Sequence, residues 1–295
     1  MRFGGYLAGL EPAEVYGFAH WFEGLDFQIA WAKRLGWRCF LPTGFRDWSV
    51  DQQRAAVSKM ADNDLVVPGL GAYRFNIIHP DPSVRAEHVK QVCNWVERAA
   101  TAGISTVENV SGSRHPTVSY GYAPGSKDDD AWADLINSAR QICEACRGTG
   151  VRFVLEPCVA TLLDSPGALK KAVELIERPD ELGINFDLVN FATIKNCHNL
   201  NAVVDEVIEL VGPHIVMAHV KDVKYDPTPS LHLWEVTPGE GLVDYRYWFS
   251  RLSELGQDMP VYLEHLNEMN EVVAAWCTIR DAAIEAGALR GIVKR

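Results

Sequence analysis

The sequence predicts an α/β fold, a single (β/α)8 TIM barrel. Three observations carry that prediction: eight short apolar runs recur along the chain, helical patterns with recognisable end signals alternate with them, and no phosphate-binding glycine turn follows the first run. The runs centre on Phe3, Cys39, Val67, Thr106, Phe153, Ile184, Val216 and Tyr262. They recur at intervals of roughly 30 to 45 residues, the length of a strand, a helix and two connections. An open, doubly wound sheet would need GxGxxG spacing after its first strand. Phe3-Gly4-Gly5-Tyr6-Leu7-Ala8-Gly9 lacks it and runs into a Glu11-Pro12 turn.

The helices between the runs are punctuated in order. Ser49 or Asp51 is placed to cap the second and Ser83 the third; a fourth is expected over Ala131 to Arg147, and Ser165 precedes a fifth with Pro166 in its first turn. Gly103 and Gly148 follow two helix C-termini. The stretches Ser111 to Asp130 and Val220 to Asp244 read as long loops after the fourth and seventh strands, on the face where barrel loops build pockets. No linker or low-complexity segment divides the chain, so residues 1–295 are expected to form one domain.

Charge and cysteine usage narrow the function classes. A net charge of −11 with scattered Lys and Arg gives no basic face for nucleic acid or for an anionic membrane surface. No apolar run approaches a membrane span, and the N-terminus lacks a signal-like apolar region, so a cytoplasmic protein is expected. Seven cysteines, an odd number lying mostly in apolar segments, read as reduced thiols. Cys143 and Cys146 have redox spacing, but they fall near the end of a helix with no strand before it, and packing is the expected role.

The chemistry lies at the ends of the last four runs. Val151-Arg-Phe-Val-Leu-Glu156, Leu182-Gly-Ile-Asn-Phe-Asp187, Ile215-Val-Met-Ala-His219 and Pro260-Val-Tyr-Leu-Glu264 each finish on one polar group after a stretch composed like a buried parallel strand. Gathering three carboxylates costs several kcal/mol per ion unless a cation compensates them. Glu156, Asp187, His219 and Glu264 therefore read as one metal site at the C-terminal face of the barrel. The oxygen-rich donor set suits Mn²⁺ first, with Mg²⁺ or Co²⁺ as alternatives, rather than a structural zinc. Open coordination positions would take a hydroxyl and a carbonyl of a sugar, acidifying the carbon-bound proton beside the carbonyl. Glu156 and Glu264, expected at opposite sides of the barrel mouth, are the candidate acid and base.

The segments Val154-Leu-Glu156-Pro157, Asn185-Phe-Asp187, His219-Val-Lys221-Asp222-Val, Thr237-Pro238-Gly239-Glu240-Gly241-Leu-Val-Asp244-Tyr and Val261-Tyr-Leu-Glu264-His265 resemble the xylose isomerase-like TIM barrel superfamily. Its members include sugar isomerases, ketose 3-epimerases, inosose dehydratase and endonuclease IV. The resemblance implies the same four metal ligands and, in the epimerase branch, an acid/base pair at Glu156 and Glu264. Two positions depart from the pattern. Asn190 stands where many members carry a histidine, and Lys221, Asp222 and Lys224 stand where the epimerases carry an arginine. A trinuclear nuclease site would need more histidines than the loop candidates His79 and His115 supply.

Substrate contacts are expected from Asn190, Lys221, Arg114, His115, His232 and Trp234, with Trp21, Phe45 and Trp48 as further ring-stacking candidates. Glu108 faces either the barrel interior or a neighbouring cation, and His265 is expected to point toward the helices or to back up Glu264. The leading expectation is a divalent-metal-dependent isomerase or epimerase of an unphosphorylated ketose or keto-sugar. The alternatives are a metal-dependent lyase or dehydratase with His115 as an extra acid/base, and a non-catalytic sugar-binding barrel. The partner is a small-molecule sugar, and a homo-oligomer fits the tryptophans near loops.

Overall fold

The computed structural model describes residues 1–289. The chain takes the α/β (β/α)8 TIM-barrel fold. The strands of its main sheet are β1 (Arg2–Gly5), β2 (Cys39–Phe40), β3 (Leu70–Gly71), β4 (Thr106–Val110), β5 (Arg152–Glu156), β6 (Leu182–Asn185), β7 (Ile215–Val220) and β10 (Pro260–Leu263). They run in the order β2-β1-β10-β7-β6-β5-β4-β3. The helices are α1 (Leu25–Leu35), α2 (Val50–Ala61), α3 (Pro82–Ala102), α4 (Asp129–Cys146), α5 (Pro166–Ile176), α6 (Leu200–Val211), α7 (Tyr245–Glu254) and α8 (Met269–Glu285). No described helix is long and apolar enough to cross a membrane. The chain packs as two compact units, one of residues 69–191 and 209–216, the other of 1–68, 192–208 and 217 onward.

In the first of these units, β3 to β6 pair in parallel with Leu70 beside Val107, Val107 beside Phe153 and Phe153 beside Leu182. Phe153, Val154 and Leu155 are fully buried, as a parallel strand covered on both faces must be. Helix α4 buries Leu135, Ala139, Ile142, Cys143 and Cys146, spaced to line one helical face. Full burial of Leu135 and Ile142 contributes about 1.5–3 kcal/mol each. Burial pushes the Cys146 thiol up to about 12 and the Cys143 thiol higher, so both are inert packing groups. The expected Ser83 cap of α3 is corrected. Asp81 is the cap, accepting from the Ser83 and Val84 amides, because Pro82 takes the first helical position and moves the cap back two residues.

In the other unit, β1 lies between β2 and β10, and Val261 of β10 faces Ala218 of β7. The first strand reads Gly4-Gly5 for a steric reason: a Cβ on Gly4 would stand 1.7 Å from the Cys39 carbonyl oxygen. Ser49 caps α2 in a reciprocal pair with Gln52. The expected third run is split by Pro68. Val66 bridges Cys39 of β2, and β3 proper starts only at Leu70.

The expected loop between β7 and α7 holds secondary structure of its own, an antiparallel ribbon of β8 (Asp222–Asp226) and β9 (His232–Val236). Its base is fixed by Asp222, fully buried, whose carboxylate accepts from the amides of Val223, Gly239, Gly241 and Val243. The Pro238-Gly239-Glu240-Gly241 turn thus folds around one carboxylate. Asp222→Ala would strand several of these donors and is expected to lower unfolding stability by roughly 2–4 kcal/mol in urea denaturation.

Candidate metal centre

Strand β5 ends on Glu156, 4% exposed, and β6 ends on Asn185, two residues before the fully buried Asp187. The Glu156 carboxylate is held at both oxygens. Asn190 Nδ2 donates to Oε1 at 2.7 Å; Asn185 Nδ2, at 3.0 Å, and the Tyr73 hydroxyl, at 2.7 Å, meet Oε2. Asp187 Oδ1 accepts from the Asn190 amide at 3.1 Å, closing the 3-10 turn that begins at Val189. Asn190, a substrate candidate by sequence, therefore spends an amide hydrogen on fixing Glu156. The Tyr73 hydroxyl also lies 2.8 Å from Glu108 Oε2, and Glu108 is buried at mid-strand in β4.

Strand β7 carries His219, Lys221 follows the strand's last residue, and Glu264 follows β10 with its amide bonded to the Val220 carbonyl. Glu264 Oε2 lies 3.1 Å from His219 Nδ1 and 3.1 Å from Lys221 Nζ. Burial pushes the Glu264 carboxyl up, but the charges of His219 and Lys221 outweigh it and hold the group well below the usual carboxylate range. Lys221, 3% exposed, is thus a buried cation set against the carboxylate.

His265 does not point toward the helices. It adopts a left-handed φ of 58°, which swings its ring to Glu235 of β9, with Nδ1 at 2.9 Å from Oε1, while Nε2 stands 3.7 Å from Glu264. Simple strand alternation fails there because β10 has already ended. The Glu235 hydrogen bond raises the His265 pKa.

One ligand atom from each of Glu156, Asp187, His219 and Glu264 lies within 4.8 Å of the others. Two bonds of about 2.1 Å to a shared ion span at most about 4.2 Å. The donor set suits a hard divalent ion: three oxygen ligands and one imidazole, with no thiolate.

The other sequence candidates make contacts of their own. The carboxylates that Arg114 holds are the protein's own, Asp134 at 2.7 Å and Asp130 at 3.2 Å, which ties its loop to α4. His115 Nδ1 accepts from the Thr117 and Val118 amides and organises that loop. On the ribbon, His232 and Trp234 share the outer face with Lys224 and Asp226, and Trp234, 52% exposed, donates to Asp226. Glu235, on the opposite face, is the β9 residue that meets His265. Phe45 and Trp48 are buried against each other.

Sequence reasoning gave no role to Tyr73, Asn185 or Tyr6, and it named Asp222 without the turn that it anchors. The Tyr6 hydroxyl binds both polar backbone atoms of Leu266, just past Glu264, and burial raises its pKa to about 12. For Asn185 a signal existed, a polar residue inside an apolar run. Tyr73 carries none.

A family model described as xylose isomerase-like TIM barrel matches residues 29–286. L-ribulose-5-phosphate 3-epimerase UlaE of Salmonella paratyphi A is 26% identical over 237 residues, covering 78% of this chain and 75% of the relative. A xylose isomerase-like TIM barrel protein from Mycobacterium smegmatis, solved in complex with magnesium, superposes with a TM-score of 0.68 at 17% identity over 97% of each chain. An L-ribulose 3-epimerase superposes with a TM-score of 0.67 at 15% identity, over 100% of this chain and 99% of its own. At those identities the structural likeness speaks to the fold.

Proposed function

This chain belongs to the xylose isomerase-like TIM barrel family, and from that premise we propose that it is a divalent-metal-dependent sugar epimerase or isomerase acting by proton abstraction beside a carbonyl. The observation that carries the reading is the gathering of three carboxylates and one imidazole within 4.8 Å. The named epimerase relative supports it. The substrate class is a ketose or keto-sugar.

Glu156, Asp187, His219 and Glu264 would hold the cation, with Mn²⁺ favoured by the oxygen-rich donor set. When bound, such an ion supplies Lewis-acid polarisation of a sugar carbonyl and its neighbouring hydroxyl. The protein's own groups do the proton chemistry. Glu264, kept anionic beside Lys221 and His219, accepts or returns the carbon-bound proton at one face, and Glu156 does so at the other. The Asn190 and Asn185 amides keep the Glu156 carboxylate from rotating, so its attack geometry is set before substrate arrives. Lys221 offsets negative charge as it builds on the substrate oxygens. A cytoplasmic location belongs to the same proposal, supported by free thiols that are mostly buried.

Incubation of the Mn²⁺-loaded protein with a panel of free and 5-phosphorylated ketoses in deuterated water tests this. The expected product is isobaric with substrate except for one deuterium at the carbon beside the carbonyl. Loss of water, or no exchange with any ketose, would contradict it.

A further inference from the structure

We infer that the inner face of the β8–β9 ribbon, with Tyr225, Leu233 and Glu235, is the wall that receives the far end of the sugar and selects an unphosphorylated one. The inference rests on the reading of the metal centre as an epimerase site. Strand pairing fixes which side chains share that face. Val223 stands opposite Glu235 and Tyr225 opposite Leu233, while Lys224 with Trp234 and Asp226 with His232 take the outer face. Glu235 marks the inner face as the one turned to the metal centre. Its carboxylate meets His265 Nδ1 at 2.9 Å, and the other nitrogen of that ring stands 3.7 Å from Glu264. One imidazole separates the ribbon from a proposed ligand of the ion.

The chemistry of the wall suits a neutral polyol. Tyr225, 44% exposed, and the half-buried Leu233 form an aromatic and aliphatic surface for the C–H face of a sugar. Beside them the Glu235 carboxylate, steadied by His265, is an acceptor for a sugar hydroxyl.

Among the described residues of this face none is a lysine or arginine. The ribbon's one lysine, Lys224, and its one histidine, His232, lie on the outer face. Past the ribbon, His265 is set against Glu235, and Lys221 against Glu264 at 3.1 Å. The turn at the ribbon's base gathers backbone amides as an anion nest does, but the protein's own carboxylate fills it. The amides of Gly239, Gly241 and Val243 donate to Asp222 at 2.9, 3.0 and 3.1 Å. A phosphate brought to this wall would meet the charge of Glu235, a repulsive contact where a free hydroxyl makes a hydrogen bond.

Turnover and binding test the wall separately. With the Mn²⁺-loaded protein and each ketose of the panel beside its 5-phosphate, kcat/KM should favour the free sugar at least about tenfold. Glu235→Gln keeps a partner for His265 and for a hydroxyl but removes the charge, and that preference should shrink about tenfold. Tyr225→Ala should raise KM for the free ketose about tenfold with kcat changed less than about twofold, and Tyr225→Phe should recover most of the loss. A ribbon that only props the site would alter both substrates alike. A wild-type preference for the 5-phosphate, a preference unmoved in Glu235→Gln, or wild-type KM in Tyr225→Ala overturns the wall.

Binding needs no turnover. The sugar alcohols made by reducing the same ketoses, and their phosphates, have no carbonyl to enolise, and calorimetric titration of the Mn²⁺-loaded protein reads their affinities. The free alcohol should bind more tightly than its phosphate, Glu235→Gln should narrow the gap, and Tyr225→Ala should weaken the free alcohol about tenfold. Those results in a protein that exchanges no ketose proton leave the wall standing and remove the epimerase reading instead. Equal affinities for alcohol and phosphate, or affinities that neither variant moves, overturn the wall whatever the turnover.

Discussion

Glu156→Gln and Glu264→Gln are each expected to abolish carbon-proton exchange, lowering kcat by at least about 10³-fold, or roughly 4 kcal/mol of barrier. Glutamine keeps the shape and one oxygen donor but has no basic oxygen at neutral pH. The two variants should differ in how they fail. Glu264 stands between His219 and Lys221, so its amide leaves a buried cation facing a neutral group, and stability should fall along with the rate. Glu156 is gripped by neutral amides and a phenol, which an amide tolerates better, so its loss should fall mainly on the rate. Solvent-deuterium exchange followed by NMR, alongside urea denaturation, separates the two. Exchange at wild-type rates in either variant would remove that glutamate from the proton path.

The second large effect concerns the cation. Asp187→Ala or His219→Ala removes a proposed ligand outright, and Mn²⁺ affinity should fall at least about 100-fold, beyond what the loss of a ligand's hydrogen-bond partner costs. The readout can be thermal. With Mn²⁺ at about 100 times its dissociation constant, the folded protein gains about 2.7 kcal/mol, and the melting temperature rises accordingly. In either variant the gain should drop to about 0.4 kcal/mol or less at the same Mn²⁺ concentration. An undiminished rise would place the cation elsewhere.

How much of this was legible in the sequence follows from the range of the interactions. The barrel is written locally: each buried parallel strand is a short apolar run, and the polar groups at run ends, Glu156, Asp187, His219 and Glu264, stand out because burial makes them costly. Asp81 shows a local rule applied two residues off, since Pro82 decided which side chain became the cap. The β8–β9 ribbon was missed because Asp222–Asp226 and His232–Val236 are mostly polar and exposed, without the apolar alternation of a sheet packed on a core. Once formed, the ribbon turns His232 and Trp234 outward and Glu235 toward His265.

Tyr73 lies outside any such pattern. Its importance comes from Glu108 and Glu156, 35 and 83 residues away, and no local periodicity records a contact over that distance. Arg114 marks the opposite limit. A basic residue in a polar loop looks like an anion site until Asp130 and Asp134 of the following helix arrive beside it.

The claim beneath all of this is that one divalent ion is held by Glu156, Asp187, His219 and Glu264 together. Crystals soaked in Mn²⁺ and measured at the manganese absorption edge test it most directly. A single anomalous peak about 2.0–2.2 Å from a ligand atom of each of the four is the expected result. A peak held by other residues, or none at saturating Mn²⁺, would contradict it.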